Sequence, residues 1–556
     1  MKKLLMSVAI ILLMCYTISS TKAQTQFDLV IIFQPTATFA NITAIKTALN
    51  ATQLDSTFPS RALLWRCTLA FPLTLTLPKL GGGTFAGLVN TPSDAVGVVC
   101  GTGQSEGVSN NDVYVIPQTD TVRESFTQPP PLFGTSCTAA ATDSIVTCKP
   151  GRRAVKIAIL DSGIDCDRRE TSIVVAHDSL KPYVCVSQDI LDNKDSDNNG
   201  YIDDLIGYDF VNNTGVPKDS TGHGTFVAGV ISRILKRNNA DNIKFFVLKV
   251  LDGKNRGFEY NFIRALDYAI KQKVEIVNCS FISSAALMDT MQPLTSAIYT
   301  ARKFGVLVSI AAGNNGKDID QPANWFGPAV FQNENTIVTG ATACTDSVAS
   351  FSNFAKKNVD IFTPGKGLVS TWIRTGVCAT NCYAFNTGTS FAAPQTTAVA
   401  ALLASNLAGS DWLRVKCSIL KSTTFKSFLV NKCRRSGLLN GAKASTILTG
   451  ANAPCDDITA VTGLENIRTF EAFPNPFSDV VTLNFSLLQS TPVEVNIFNM
   501  TGALISQQRL IGVSGNNQYP LSIKAGGYST MCASSVMRAP SSRITRSAVS
   551  CSIALR

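Results

Sequence analysis

The stretch VKIAILDSGID, residues 155–165, decides the fold of this chain. The aliphatic run up to Leu160 predicts a buried strand, and Asp161 and Gly163 follow at the point where the strand ends and the chain turns. In open α/β sheets, ligand sites collect at the carboxyl edge, so a carboxylate placed there indicates a functional site. An aspartate that only forms a turn is the simpler alternative, and this stretch alone does not choose between the two.

A second stretch, STGHGTFVAGV at residues 220–230, places His223 between two glycines and just before a helix-like segment. The glycine neighbours leave the imidazole room to turn. The whole chain has only two histidines, and the other one, His177, has no comparable surroundings. His223 is therefore the candidate general base.

A third stretch, GTSFAAP at residues 388–394, places Ser390 at the start of an apolar run that predicts a buried helix. Small neighbours let a substrate backbone approach the hydroxyl, and a helix N-terminus directs N–H groups at an oxyanion. Capping of the helix by Ser390 is the alternative. An aspartate, a histidine and a serine in this order form the minimum set for nucleophilic catalysis, in which the histidine takes the serine proton and the aspartate fixes its tautomer.

These three motifs resemble those of subtilisin-like serine proteases, or subtilases, over about residues 151–448. The resemblance implies that Asp161, His223 and Ser390 form the catalytic triad. In VLVSIAAGNNG, residues 306–316, a buried strand runs into a turn that carries Asn314, which matches the family's oxyanion-hole asparagine.

The function implied by this resemblance is hydrolysis of protein or peptide substrates by a secreted endopeptidase through an acyl-enzyme. A catalytically inactive, calcium-stabilised surface adhesin of the same fold is one alternative, and the intact triad argues against it. An esterase or lipase is another, but Ser390 is not surrounded by the G-x-S-x-G elbow of those enzymes.

Two segments are similar to the family's substrate-binding walls. The resemblance implies one wall from the end of a strand and another from the turn before Asn314: Ser280, Phe281 and Ile282, and Ala311, Ala312 and Gly313. The family usually has glycine where Ile282 stands. A branched side chain there narrows the pocket, so we expect a preference for small or medium apolar residues.

An acidic stretch, DNKDSDNNGYIDD at residues 192–204, carries oxygen side chains at alternate positions. Asp195, Asp197 and Asn199 occupy the first, third and fifth places of an EF-hand-like loop, and Tyr201 offers its carbonyl at the seventh. The twelfth place is Ile206 and not glutamate, so a full EF-hand is not expected. Many subtilases have a similar acidic loop that binds structural calcium, so we expect calcium here, with a solvated loop as the alternative.

Strand-like and helix-like segments alternate through the central region, and this pattern predicts an α/β fold. The expected architecture is a parallel sheet with helices on both faces, which is also the fold of the family. The predicted strands are 245–251, 274–280, 306–312 and 336–341, and the predicted helices are 258–271 and 290–303.

The regions on either side differ in character. Residues 24–150 predict an α+β region with a strand at 28–33, a helix at 40–51 and a strand at 62–67. Its size is that of a subtilase propeptide, and a stable accessory domain is the alternative. Residues 151–448 are the expected peptidase domain, and residues 449–465 are the expected linker.

The C-terminal region, residues 466–556, predicts a small β-sandwich from short alternating strands. The stretch FPNPF at residues 473–477 resembles the start of the C-terminal sorting domain of type IX secretion substrates, with a surface-binding β domain as the alternative. After Tyr528 the sequence departs from that pattern.

The first 23 residues have the basic start, apolar run and small-residue end of a secretory signal peptide, which predicts a secreted or cell-surface protein. No later stretch is apolar for the roughly 18 to 20 residues of a membrane span. The net charge is +10, but much of it lies in residues 1–23 and 531–556, which contain no acid. Without a clustered basic patch, we expect no nucleic-acid partner, and we expect a monomer.

Sixteen cysteines agree with export to an oxidising compartment. Removal of Cys15, Cys532 and Cys551 leaves an odd number, so we expect at least one free thiol, with Cys279 on a buried strand as the candidate. Close spacing suggests four disulfides, namely Cys137–Cys148, Cys166–Cys185, Cys378–Cys382 and Cys417–Cys433.

Overall fold

A computed structural model gives the fold of the chain in two compact units, one of residues 1–55 and 63–110 and the other of residues 56–62 and 111–556. The expected signal peptide and the expected linker lie outside the described residues, apart from Thr449. The structure describes residues 151–449 except 152, 284–292, 332, 344–346 and 376–377, together with separate segments between 24 and 126 and between 467 and 555.

The first unit is an α+β structure, and the strands and helix predicted in it are confirmed. Its apolar core includes Ile31, Ile45 and Trp65, all without exposed surface. A four-stranded sheet has the order β2-β3-β1-β6, and β4 and β5 form an antiparallel pair. The elements are β1 (Gln24–Phe33), α1 (Phe39–Ala48), β2 (Ala51–Ser56), β3 (Ala62–Ala70), β4 (Leu73–Pro78), β5 (Thr84–Val89) and β6 (Ser105–Ser109).

The second unit contains a large sheet and the helices around it. The strands up to the end of this sheet are β7 (Val113–Val115), β8 (Ser125–Phe126), β9 (Val155–Asp161), β10 (Cys166–Arg168), β11 (Ile173–Val175), β12 (Gly207–Asp209), β13 (Ile243–Lys249), β14 (Arg256–Phe258), β15 (Ile276–Cys279), β16 (Ile282–Ser283), β17 (Leu307–Ala311), β18 (Thr336–Ala343), β19 (Ser347–Val348), β20 (Ile361–Pro364), β21 (Leu368–Thr371), β22 (Tyr383–Asn386), β23 (Thr424–Phe425) and β24 (Gly437–Leu438). The helices are α2 (His223–Arg237), α3 (Glu259–Lys271), α4 (Pro293–Lys303), α5 (Thr389–Ala404), α6 (Trp412–Lys421) and α7 (Gly441–Thr449), with short 3-10 turns at Lys181–Tyr183, Pro322–Asn324 and Ser427–Leu429.

The large sheet has the strand order β12-β13-β9-β15-β17-β18-β20-β24-β23, with β19 paired to β18. All neighbours from β12 to β24 run parallel, while β19 and β23 are antiparallel to their partners. In register, Asp161 lies opposite Lys249, and Cys279 lies between Leu160 and Ile310. The ends of β9, β15 and β17 therefore meet at one edge of the sheet.

Helices cover both faces of this sheet. On β13, Phe245 belongs to a core cluster with Phe226 of α2 and Leu402 of α5. The next residue, Phe246, places its ring centroid 5.8 Å from that of Tyr268 on α3. Successive side chains of a strand point to opposite faces, so α2 and α5 cover one face and α3 covers the other. The predicted α/β fold, a parallel sheet with helices on both faces, is confirmed.

The C-terminal region contains two separate sheets, of orders β25-β26-β29 and β28-β27-β31-β30. Their stacking into a β-sandwich stays a prediction. The strands are β25 (Ile467–Phe473), β26 (Val480–Leu487), β27 (Thr491–Phe498), β28 (Leu504–Gly512), β29 (Gly515–Ser522), β30 (Ala533–Ser534) and β31 (Cys551–Leu555). Among the helices that the structure describes, none is both long and apolar enough to cross a membrane.

The cysteines confirm some of the predicted pairing and contradict the rest. Cys378 and Cys382 form a disulfide with a Cα separation of 5.8 Å, and Cys279 is free and buried, as predicted. The Cys166–Cys185 pair is wrong, because both thiols are free. The Cys417–Cys433 pair is also wrong, since Cys433 is free whereas Cys417 is bonded to another cysteine. The proposed Cys137–Cys148 pair lies outside the described residues.

Candidate active site

Asp161 is the last residue of β9, at the carboxyl edge of the sheet and between β13 and β15. Its Oδ1 accepts a 2.7 Å hydrogen bond from the backbone N–H of Ser162, and the residue is only 1% exposed. Its carbonyl accepts the N–H groups of Val250 and Leu251 at 2.8 and 3.2 Å. Both the carboxylate and the backbone of Asp161 are therefore held in place by the chain around them.

His223 is the first residue of α2, and its Nδ1 lies 2.8 Å from Asp161 Oδ1. The preceding Gly222 has φ of 91°, and a Cβ there would lie 2.4 Å from the Trp372 ring, so only glycine fits at this turn. Nδ1 therefore carries the proton that points at the carboxylate, which leaves Nε2 as the basic nitrogen. The other histidine, His177, is a poor base because burial lowers its pKa to about 4.

The N-terminus of α2 is fixed by side chains that the sequence did not single out. Asp219 accepts hydrogen bonds through Oδ1 from the Ser162 hydroxyl and the Gly222 N–H, and through Oδ2 from the N–H and hydroxyl of Thr225. The Ser162 hydroxyl in turn accepts the Gly224 N–H at 2.9 Å. Asp219 and Ser162 thus join the turn after Asp161 to the first turn of the histidine helix.

Ser390 is the second residue of α5, and it has no exposed surface. Its hydroxyl donates to the carbonyl of Ser280 at 3.2 Å, which is its one hydrogen bond within the described part of the chain. The Phe391 ring lies 5.2 Å from the imidazole of His223, centroid to centroid. The residue after Ser390 thus contacts the imidazole of His223, while the Ser390 hydroxyl points at Ser280.

Asn314 follows β17 and faces the same helix N-terminus. Its Oδ1 accepts the backbone N–H of Thr389 at 2.9 Å and the Thr389 hydroxyl at 2.7 Å, while Thr389 Oγ1 accepts the Gly313 N–H. These bonds turn the amide oxygen toward α5 and the amide NH₂ away from it. Thr389 was not identified from the sequence, although it directly precedes Ser390.

The structure brings the two implied substrate-binding walls together. Ser280, Phe281 and Ile282 follow β15, and the backbone after β17 passes opposite them. A Cβ built on Gly313 would lie 3.4 Å from Ile282 Cγ2, so the isoleucine side chain reaches the facing wall. Ala311 and Ala312 lie beside this contact, both at most 2% exposed. The space between the walls is therefore narrow.

A short strand from earlier in the chain lies between two strands of this region. β7 pairs antiparallel with β14, with Val115 opposite Arg256, and with β16, with Val115 opposite Ile282. The three strands form a sheet of order β14-β7-β16. Further along, β8 pairs antiparallel with β22, which precedes α5.

The acidic loop is closely bonded to its own backbone. Asp195 accepts the N–H groups of Asn199 and Gly200 at 2.9 and 2.8 Å, and Asn199 donates its amide to Asp197 at 3.0 Å. Tyr201 is buried against other aromatic rings. Within the described ranges, no group of three or more His, Cys, Asp or Glu side chains has the geometry of a metal site.

Asp204, which the sequence did not single out, is the buried acid beside this loop. Its Oδ2 accepts the Asn199 amide at 2.8 Å, and its Oδ1 has no partner within hydrogen-bonding geometry among the described residues, although the Tyr268 hydroxyl lies near enough to interact with this carboxylate. Burial raises the pKa of Asp204 to about 6, and burial also raises the pKa of Asp197. Both raised pKa values indicate that the negative charges of these two carboxylates are not compensated.

The central region matches known proteins. The sequence profile described as "Subtilase family" covers residues 152–448. A thermophilic serine proteinase from Bacillus sp. (strain AK1) is 36% identical over 36% of this chain and 47% of its own length. The major intracellular serine protease of Bacillus subtilis (strain 168) is 31% identical over 45% of this chain and 68% of its own length.

The C-terminal region matches the profile described as "Secretion system C-terminal sorting domain" over residues 471–532. The predicted resemblance to a sorting domain is thereby confirmed, and this domain marks the protein for secretion and the cell surface. An extracellular serine proteinase of Thermus sp. (strain Rt41A) is also similar, at 35% identity over 35% of this chain and 44% of its own length.

Two solved structures are similar to the chain. A cold adapted subtilisin-like serine proteinase shares 25% identity over 53% of this chain and 89% of its own, with a TM-score of 0.39. A lanthipeptide protease shares 23% identity over 54% and 90%, with a TM-score of 0.43. The profile match to residues 152–448 covers more than half of the sequence, and the chain therefore belongs to the subtilase family.

Proposed function

We propose that this protein is a secreted serine endopeptidase that hydrolyses peptide bonds through an acyl-enzyme. The observation that carries the proposal is the buried 2.8 Å contact between His223 Nδ1 and Asp161 Oδ1, with Ser390 at the N-terminus of the adjacent helix. A tautomer fixed by a carboxylate, a basic Nε2 and a serine beside it are the parts that acyl transfer needs. The buried Cys279 is no rival nucleophile, because burial raises the pKa of its thiol far above the usual range.

In the proposed reaction, Ser390 Oγ attacks the substrate carbonyl while His223 Nε2 takes the hydroxyl proton. The imidazolium, stabilised by Asp161, then gives that proton to the leaving amine, and the C–N bond breaks to leave an acyl ester on Ser390. Water repeats the sequence: its proton goes to His223, and its oxygen attacks the ester. The ester C–O bond then breaks, the proton returns to Ser390, and the carboxylic acid is released.

The oxyanion of each tetrahedral intermediate would be bound by two donors. The backbone N–H of Ser390 has no acceptor within the described residues, and it lies at a helix N-terminus, where anions are favoured. The Asn314 amide is the second donor, because Thr389 holds its oxygen and so turns its NH₂ group away from the helix. Two fixed donors stabilise developing charge without reorganisation.

The substrate would bind as an added strand between β14 and β16. The pairing of β7 at this place supports the proposal, because it demonstrates that an extended segment fits there in antiparallel register. The residue before the scissile bond would enter the space between the walls, which Ile282 narrows by approaching Gly313. We therefore propose small or medium apolar residues at that position.

We further propose that residues 24–150 form a propeptide ahead of a peptidase domain at 151–448, with a linker at 449–465 and a sorting region at 466–556. Two observations within the second unit support an inhibitory role for the first of these regions. β7 occupies the proposed substrate position, and the turn around Ser60 is bound by Asp267 of α3. Activation would then require a cut between β7 and the catalytic region.

Calcium is the proposed structural ion of the acidic loop. Asp195, Asp197, Asn199 and the Tyr201 carbonyl are the proposed ligands. The Oδ1 atom of the fully buried Asp204 is proposed as an additional ligand, at a position that the EF-hand pattern does not use. A bound divalent cation would supply the missing positive charge and oppose unfolding. At a hundredfold excess over Kd it stabilises by about 3 kcal/mol, so chelation should lower the Tm of the wild type and not of Asp204→Asn.

Labelling of the secreted protein with a fluorophosphonate probe, with the label located by mass spectrometry, tests the proposed activity. We expect label on Ser390, none in Ser390→Ala, and strong loss in His223→Ala. Ser418→Ala, which removes another buried hydroxyl on α6, is the matched control and should label normally. Absence of label from processed, calcium-loaded protein would contradict the proposal and favour a binding role, and cleavage of an ester but not of a protein would favour an esterase.

A further inference from the structure

The nucleophile helix contains a proline in its second turn, and this proline frees a carbonyl group. Pro394 lies inside α5 and has no N–H, so the carbonyl of Ser390, four residues earlier, lacks its usual helical donor. The Ser280 hydroxyl supplies the missing bond, because its Oγ donates to the Ser390 carbonyl at 2.8 Å. The freed carbonyl belongs to the same residue that carries the proposed nucleophile.

Ser280 therefore contacts Ser390 at two points. Its side chain donates to the Ser390 carbonyl, and its own carbonyl accepts the Ser390 hydroxyl at 3.2 Å. The first contact holds the backbone of the nucleophile, and the second holds its side chain. A displacement of the Ser280 hydroxyl would therefore also displace Ser390, the proposed nucleophile.

Two more buried side chains fix the direction of the Ser280 hydroxyl. Asn278 Nδ2 donates to Ser280 Oγ at 2.9 Å, and Thr397 Oγ1 donates to Asn278 Oδ1 at 2.8 Å. Thr397 also makes a longer contact of 3.3 Å with the Ala393 carbonyl. Because Ser280 Oγ accepts from Asn278, its own proton is directed at Ser390. Asn278, Ser280 and Thr397 have no exposed surface, so bulk water does not replace these bonds.

We propose that Asn278 and Thr397 are positioning residues for Ser390 and act through the Ser280 side chain. The chain of hydrogen bonds runs in one direction, from the Thr397 hydroxyl on the third turn of α5, through Asn278 within β15 and Ser280 after it, to the carbonyl of the nucleophile. It supplies the hydrogen bond to the Ser390 carbonyl, in the first turn, that Pro394 cannot donate. This inference rests on the proposed function, since it assigns the relay to the alignment of an attacking serine.

The chain offers a matched control one residue away. Thr396 lies on the same helix, is equally buried, and pairs its hydroxyl with Thr339 at 2.9 Å. Among the described residues, its hydroxyl makes no hydrogen bond with Asn278, Ser280 or Ser390. A change of threonine to valine at either position keeps the volume of the side chain and removes one buried hydroxyl, so a general loss of stability affects both variants alike.

The experiment compares Thr397→Val with Thr396→Val in the processed protein. We expect Thr397→Val to lower the rate of fluorophosphonate labelling and kcat by about three- to tenfold, the worth of one buried hydrogen bond, with KM unchanged. Thr396→Val should lower the Tm to a similar extent but leave both rates unchanged. Thr397→Ser, which keeps the hydroxyl, should restore the wild-type rate.

Equal rates in the two valine variants would overturn the relay while leaving the proposed function intact, because wild-type Ser390 would still be labelled. An effect on KM alone would also overturn it, since the relay acts on the nucleophile and not on the bound peptide. No label on wild-type Ser390 would overturn the proposed function and the relay together.

Discussion

The N-termini of helices α2 and α5 lie in similar sequence contexts but have opposite electrostatic arrangements. Each begins after a glycine and next to a residue of the proposed triad, His223 or Ser390. At α2, the N–H groups that have no acceptor within the helix donate to side chains instead, with Asp219 as the main acceptor. At α5, the N–H of Ser390 has no acceptor in the described part of the chain.

This difference separates two tasks. A helix end whose donors are satisfied is rigid, and it is suited to hold a base against a carboxylate. A helix end with a free donor keeps its partial positive charge available for an anion formed during the reaction. Because α5 leaves that donor free, it needs support from elsewhere, and Thr389, Asn314 and Ser280 provide that support.

Loss of the second oxyanion donor is the strongest test of the free end of α5. We expect Asn314→Leu to lower kcat by about 10²–10³, with little change in KM, because the donor acts on charge that develops only in the transition state. Steady-state kinetics on a peptide substrate measure both constants. A fall in kcat of less than about threefold would show that the Asn314 amide does not serve the oxyanion.

A carboxylate on a third helix, α3, accepts several hydrogen bonds and nevertheless has a raised pKa. Asp267 accepts bonds from the Ser60 N–H, the Ser60 hydroxyl and the Thr57 hydroxyl, yet burial raises its pKa from 3.8 to about 6. The Ser60 and Thr57 donors lower that pKa, but burial outweighs them, so the folded protein favours the protonated acid more than the unfolded chain does. The contribution of Asp267 to the free energy of unfolding is therefore largest below pH 3.8 and is lost as the pH rises through about 6.

A pKa of about 6 in place of 3.8 corresponds to a loss of about 3 kcal/mol in the free energy of unfolding by pH 7. Urea unfolding as a function of pH measures this loss. Asp267→Asn, which is neutral at every pH, should abolish the dependence between pH 4 and 7. The same dependence in the variant would mean that another group is responsible.

Removal of the acceptor at α2 should have the smallest effect on catalysis. Asp219→Asn replaces an acceptor oxygen with an NH₂ group that faces bound donors, and we expect a loss of about 1–3 kcal/mol in the free energy of unfolding. Urea unfolding measures that loss, and kcat should change less than in Asn314→Leu. A larger fall in kcat than in stability would show that Asp219 acts on the reaction itself.

The sequence predicted the parts of the site that lie in short contiguous motifs. Asp161 follows an apolar strand and His223 begins an amphipathic helix, so turn chemistry and periodicity locate them, and the structure brings them within hydrogen-bonding distance. The parallel sheet could be predicted for the same reason, since strands such as β13 and β17 are mostly apolar.

Contacts between distant segments could not be predicted in this way. The roles of Thr389, Asp219 and Asp204 depend on partners that the fold brings near, and no local pattern marks them. Two of the predicted cysteine pairs failed for the same reason: spacing along the chain does not fix the distance between Cα atoms, as the free thiols of Cys166 and Cys185 demonstrate.

The position of β7 has a consequence for the timing of activity. A strand that is part of the same chain competes for its site at an effective concentration on the order of millimolar. A free peptide at micromolar concentration, binding equally well, would then displace it in only about one molecule in a thousand. If β7 marks the substrate position, as we propose, the uncleaved chain does not hydrolyse other proteins even when its triad is correctly assembled. Cleavage of a single peptide bond then starts the activity.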